Sequence, residues 1–236
     1  MLLGCSAAYS QEALNMDGSA KDTLSTRQQA IVPVAAFAAA GDMASLDAAL
    51  NQGLDAGLTI SDIKEILVQL YAYAGFPRSL NALGEFMKTL ETRRRRGIED
   101  LPGSSPSRAI PQGDALLAAG TANQTRLSGA AVSGPLFDFA PAANEYLRTH
   151  LFGDIFERDN LDWQSRELAT LGMLSALPGA EPQLQAHIRI SMNVGLTAEQ
   201  LQELPRVLAT HVGSAAARRA ADALARHLAS LQGDRP

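Results

Sequence analysis

A single cysteine, Cys5, stands in 236 residues, so an intramolecular disulfide, a CxxC redox pair and a cysteine-based zinc site are all excluded. Positive charge is scarce: 20 Lys and Arg face 25 Asp and Glu, giving a formal net charge of −5 and a pI near 5.4. That balance gives no electrostatic reason to expect nucleic acid or an anionic membrane as partner, because both need a basic face to neutralise phosphate. The one basic cluster, Arg93-Arg94-Arg95-Arg96, reads as the cationic last turn of a helix. No run approaches the ~18 apolar residues that would span a bilayer. Strand-like alternation of period two is nearly absent as well. What remains, with 46% hydrophobic and 19% charged residues and a mean hydropathy of −0.04, is the composition of a soluble globular protein.

The most informative feature present is repetition. Shifting the sequence by 138 residues aligns 27–90 with 165–228 without a gap, and twelve positions coincide. Among them is the block Gly57-Leu58-Thr59, repeated as Gly195-Leu196-Thr197. This block predicts a joint between helices. The glycine tolerates the left-handed conformation that ends one helix, and the threonine caps the next. Gln200, three residues beyond Thr197, completes a capping box that Asp62 imitates after Thr59. Leu58 with Ile63, and Leu196 with Leu201, stand at the hydrophobic staple positions.

Each copy predicts four helices, at about 25–40, 43–56, 60–74 and 78–96, then 162–177, 181–194, 198–211 and 214–231, from apolar residues recurring every three to four positions. The fold class is therefore all-α, a tandem repeat of two helical domains. The division is an N-terminal tail at 1–24, a first repeat at 25–96, a linker at 97–132 and a second repeat at 133–231. The linker begins with a Pro-, Gly- and Ser-rich stretch at 97–114. An extra helix is expected at about 140–153, packed by Phe137, Phe139, Phe152 and Phe156. The opening "MLLGCSAAYSQEA" resembles the end of an export signal, with an "LLGC" similar to a lipoprotein box. It points to a periplasmic or exported protein, with a cytoplasmic one as the alternative.

Polar groups that interrupt an amphipathic pattern are the candidates for chemistry. Arg166 and Glu167 open a helix that Asp162 would cap, and His187 lies in the middle of the next. The two helices are joined by a short turn and must run antiparallel, so Glu167 and His187 can meet. A Glu and a His in contact form a proton-transfer pair; the alternative is an exposed Glu and a structurally hydrogen-bonded His. Copy one has Gln29 and Ala49 at the equivalent positions. It carries instead Tyr71, Tyr73, Phe76 and Arg78 around a Gly75-Phe-Pro77 break, a candidate anion-binding corner, with a packed tyrosine as the alternative. His211 occupies the place of Tyr73 in copy two. The complementary losses suggest composite sites, with Tyr73 and Arg78 from one repeat serving Glu167 and His187 of another.

"SRELATLGMLSAL…LQAHIRISMNVGLTAEQLQEL" and "GLTISDIKEILVQLYAYAGFPRSLNAL" resemble the carboxymuconolactone decarboxylase family, which shares the alkylhydroperoxidase D-like helical fold. The peroxidase branch of that fold carries a Cys-x-x-Cys. Here the corresponding positions are Ala180 and Gln183, and Asp42 and Ser45, so no peroxidatic thiolate is available. The decarboxylase branch implies a lyase that needs no metal or organic cofactor, acting on a small carboxylated lactone or related organic acid. The resemblance further implies His187 as proton shuttle and Glu167 as its partner or base. Tyr73, Arg78 and His211 would line the pocket, and Arg166 or Arg189 would hold a carboxylate. A trimer with pseudo-sixfold symmetry is the implied assembly. The alternative function is a non-catalytic periplasmic binding or assembly protein that keeps the fold.

Overall fold

The structure, a computed structural model, describes residues 22–233. The export-signal reading, on residues 1–13, lies outside the described residues. Four helices form the first repeat: α1 (Thr26–Ala40), α2 (Met43–Asp55), α3 (Ile60–Gln69) and α4 (Tyr71–Arg95). An intervening segment holds α5 (Asp114–Ser128), α6 (Pro135–Phe139), α7 (Pro141–Tyr146) and a π-helical stretch, Leu147–Ile155. The second repeat is α8 (Trp163–Ala176), α9 (Glu181–Asn193), α10 (Ala198–His211) and α11 (Ser214–Gly233). No strand occurs among the described residues.

The repeated joints form as their sequence predicts. Thr59 accepts from the Asp62 backbone N–H while Asp62 reaches back to the Thr59 N–H, and Thr197 and Gln200 do the same. Gly57 and Gly195 take φ of 91° and 100°, values that side chains resist. The staple residues Leu58, Ile63, Leu196 and Leu201 are all buried. Both copies therefore enter their third helix through the same kind of capped joint.

α1 and α8, the equivalent first helices of the two repeats, pack on each other at the centre. Both are buried on nearly every face, α1 through Ile31–Ala36 and α8 through Ser165–Ser175, as expected of helices surrounded by others. Gly172 permits the approach: a Cβ there would lie 2.6 Å from the Val32 carbonyl oxygen. Since α8 has no solvent face, the polar residues Arg166, Glu167 and Thr170 are carried into the core.

Three expectations differ from the structure. The segment 97–132 is irregular up to Gly113 and again from Gly129, and between them α5 occupies Asp114–Ser128. Gly120 does not break α5 but lets it touch the π-helical stretch, since a Cβ there would meet the Arg148 carbonyl oxygen at 1.9 Å. Phe152 and Phe156 are buried as expected, whereas Phe139 is 88% exposed because α6 is a short helix with no buried residue. Finally, Arg93 is more than a cationic last turn. It is buried and bound by Asp100, Asp55 and Asn51, which pins the end of α4 to α2 and to the chain that follows.

Candidate functional site

Asp162 caps α8 by accepting from the Ser165 N–H at 2.8 Å, and this fixes the helix start one turn before Glu167. α9 returns antiparallel and presents His187. The two side chains meet: His187 Nδ1 lies 2.7 Å from Glu167 Oε2, with Glu167 fully buried and His187 8% exposed. An Nδ1–H donating to the carboxylate leaves Nε2 as the imidazole's free nitrogen. The other carboxylate oxygen, Oε1, is buried and has no partner among the described residues.

The third member comes from the other repeat. Gly75, at φ 80° and ψ 162°, breaks α4 after its first turn, and that isolated turn aims Tyr73 at α8 and α9. The Tyr73 ring meets the His187 ring edge-on, with centroids 5.7 Å apart. Its hydroxyl is 3.2 Å from Thr170 Oγ1. Burial, followed by the nearby Glu167 carboxylate, pushes the phenol upward from its ordinary pKa, so it keeps its proton. Gln69 Nε2 donates both to Thr170 Oγ1 at 2.8 Å and to the Arg166 carbonyl at 2.9 Å. Thr170 Oγ1 also lies 3.0 Å from the Arg166 carbonyl, whose second lone pair can accept, so its single proton is shared between that carbonyl and Tyr73 Oη.

Behind this trio lies a second buried cluster. Glu65 accepts from Arg158 through Nε and Nη2, from Arg166 Nη2 at 3.0 Å and from Asn160 at 3.0 Å. Burial opposes its ionisation, yet the hydrogen bonds from Arg158, Asn160 and Arg166 prevail and hold the carboxyl at about 2. Burial depresses the Arg166 pKa, against the pull of Glu65. The sequence contained the repeated Glu65/Glu203 match but no sign that Arg158, from the intervening segment, would close on it.

A cover is supplied by that same segment. Leu127 of α5 and Leu151, Phe152, Ile155 and Phe156 form a cluster with Ile190 of α9, against which Tyr73, Trp163 and Val194 pack. Next to it opens a cavity of about 480 Å³, lined by Trp163, Gln164, Val194 and three arginines, Arg108, Arg126 and Arg158. Glu167, His187 and Tyr73 are not among its lining residues, while Trp163, which is, packs on the same cluster as Tyr73.

Paired Glu and His on the first two helices of a repeat, beneath a tyrosine from its mate, can be set beside known proteins. The carboxymuconolactone decarboxylase family matches residues 7–86 and 141–226. The chain belongs to that family. It is also 33% identical over 69 residues, 29% of its length, to a 4-carboxymuconolactone decarboxylase of Acinetobacter baylyi, and the match spans 51% of that protein. The chain thus aligns with about half the length of this curated relative. The family match occurs twice, once per repeat, and leaves out 87–140, where α5 and α6 lie.

Not every residue that the family resemblance nominates joins the trio. Arg78 turns away: its Nη1 donates to the Ala40 carbonyl at 2.7 Å and closes the C-terminus of α1 beside Gly41. Its long side chain finds an unpaired helix carbonyl nearer than any pocket. Arg166 is at the edge of the site, but its guanidinium is committed to Glu65, Gln69 and the Arg158 carbonyl, leaving only a partnerless Nε. Arg189 is exposed on α9, on the side of His227. His211 is exposed at the end of α10 and borders a different cavity, with Gln29 and Ala49. The arginines that do line the cavity beside the trio, Arg108, Arg126 and Arg158, lie outside the aligned repeats, where no periodicity marked them. No helix among the described residues is long and apolar enough to cross a membrane.

Proposed function

We propose that the protein is a cofactor-independent carboxy-lyase acting on a small carboxylated lactone. The observation that carries this reading is the 2.7 Å contact between His187 and a fully buried Glu167. Membership of the decarboxylase family and the partial match to a 4-carboxymuconolactone decarboxylase support it. In the proposed reaction the bond between a ring carbon and its carboxylate breaks, carbon dioxide leaves, and the electron pair stays on the ring carbon. The lactone carbonyl disperses that charge as an enolate. Protonated His187 then delivers a proton to carbon, while the Glu167 carboxylate stabilises and orients the imidazolium. Tyr73, a buried phenol that keeps its proton, donates to the enolate oxygen. Carboxylate recognition falls to Arg108 and Arg126 at the adjoining cavity, in place of Arg78 and Arg189, while Arg158 stays bound to Glu65.

Carbon dioxide release from 4-carboxymuconolactone by the purified chain tests the reading. Turnover that falls about 10²–10⁴-fold in His187→Ala is expected, the usual contribution of a positioned proton donor. A folded wild-type protein that binds the lactone without turning it over would instead favour the non-catalytic binding role. Assembly into a trimer with pseudo-sixfold symmetry belongs to the same proposal. It is supported by the exposed apolar row Phe76, Leu80 and Met87 along α4, and light scattering showing a stable monomer would remove it. A periplasmic address, resting on the first residues alone, is tested by fractionation of cells making the full chain.

A further inference from the structure

The 138-residue shift that relates the repeats carries Glu167, His187 and Tyr73 onto Gln29, Ala49 and His211. In the fold these three counterparts come together again. Gln29, Ala49 and His211 line one cavity of about 150 Å³, with Thr26, Ala30, Pro33, Gln52 and Ala56 completing its wall. The exchange is reciprocal. Tyr73 of the first repeat reaches the second repeat's pair, and His211 of the second repeat reaches the first repeat's equivalents.

From this geometry we propose that the first repeat holds a second ligand site, which takes a small uncharged carbonyl compound of the lactone or amide class. Glutamine in place of glutamate removes the charge but keeps the length. Alanine in place of histidine opens space where an imidazole stands in the other copy. No Asp, Glu, Lys or Arg lines the cavity. Its helix ends oppose one another: the first turn of α1 contributes a positive end, and the last turns of α2 and α10 contribute negative ones, so no ligand charge of either sign is favoured. Ala30, Pro33 and Ala49 offer an apolar floor for ring methylenes, while the carboxamides and the Thr26 hydroxyl offer hydrogen bonds to a carbonyl oxygen. Gln29 is held open by donating through Nε2 to the Leu24 carbonyl at 2.8 Å.

The volume equals roughly five waters at ~30 Å³ each, room for a five-membered ring with one exocyclic oxygen. Access differs from the other copy, because α5 and the π-helical stretch cover only the second repeat's site. Thr26, Gln52 and His211 are exposed around this cavity. Lacking the Glu and His pair, the site binds without turning its ligand over.

The chain has four histidines, so imidazole NMR of the full-length ¹⁵N-histidine-labelled protein can follow each. Titration with γ-butyrolactone is expected to shift His211 saturably and leave His187 in place, and butyrate is expected to bind at least tenfold more weakly. Ala49→Leu, which fills the cavity, and Gln52→Trp, which blocks its exposed mouth without entering the core, should each abolish the His211 shift. The proposal is overturned if His211 does not shift saturably, if butyrate matches the lactone, or if the shift survives Gln52→Trp. Because the readout is binding at His211, it is independent of whether the other copy is a lyase.

Discussion

Replacing Glu65 with glutamine should cost the protein several kcal/mol at neutral pH and almost nothing in strong acid. The Glu65 side chain is 3% exposed and is shared by Arg166, which is fully buried, and Arg158, which is a third exposed. These contacts lower its pKa from 4.5 to about 2. At ~1.4 kcal/mol for each tenfold change in acidity, the ionised carboxylate contributes on the order of 3 kcal/mol to folding. Because the folded value is the lower one, this contribution is complete above about pH 4.5 and fades as pH falls toward 2. Glutamine removes the titrating group and also leaves Arg166 buried with a neutral partner, for which a loss of about 3–5 kcal/mol is expected at pH 7. Urea denaturation of wild type and Glu65→Gln at pH 7, 5, 4 and 3 measures it. The difference between the two should stay level from pH 7 to 5 and shrink at pH 4 and 3. A difference that is constant down to pH 3 would refute the assignment of the carboxylate as the charge that holds both arginines.

Other substitutions probe how the site is positioned. Gly172→Ala drives a methyl against the Val32 carbonyl at 2.6 Å and should destabilise by about 1–3 kcal/mol; an unchanged melting temperature would mean that α1 and α8 are not so closely packed. Gly75→Ala, at φ 80° and ψ 162°, should cost about 1–3 kcal/mol and reduce turnover further by misplacing Tyr73, whereas a stability loss with full activity would disconnect the kink from the site. Thr197→Ala removes the cap of α10 and should cost about 1 kcal/mol in a urea melt, with no effect on turnover.

Much of the architecture was legible because its signals are local. A capping threonine, the glycine before it and the staple residues act within one turn, so the joints at Gly57 and Gly195 could be read directly from the repeat. The Glu167 and His187 pair was also accessible, since a short turn between antiparallel helices restricts what can meet. Long-range partners were not. Arg78 finds the end of a helix 38 residues earlier, and Arg158 reaches Glu65 across 93 residues; nothing within one helix encodes either choice. α5 was missed for a related reason: it lies outside the aligned repeats, and the contact that its Gly120 makes is with backbone of the later π-helical stretch. The reciprocal exchange of Tyr73 and His211 between repeats lay between these cases. The complementary losses already pointed to Tyr73 serving the other copy's pair, and the fold added that His211 crosses in return.

The central claim is that Glu167 and His187 work as one unit, and a double-mutant cycle in kcat/KM for lactone decarboxylation tests it most directly. Glu167→Gln and His187→Ala should each lower kcat/KM, and the double variant should be hardly worse than His187→Ala alone, as for residues that act through one another. Independent losses that multiply in the double variant, or single variants as active as wild type, would contradict it.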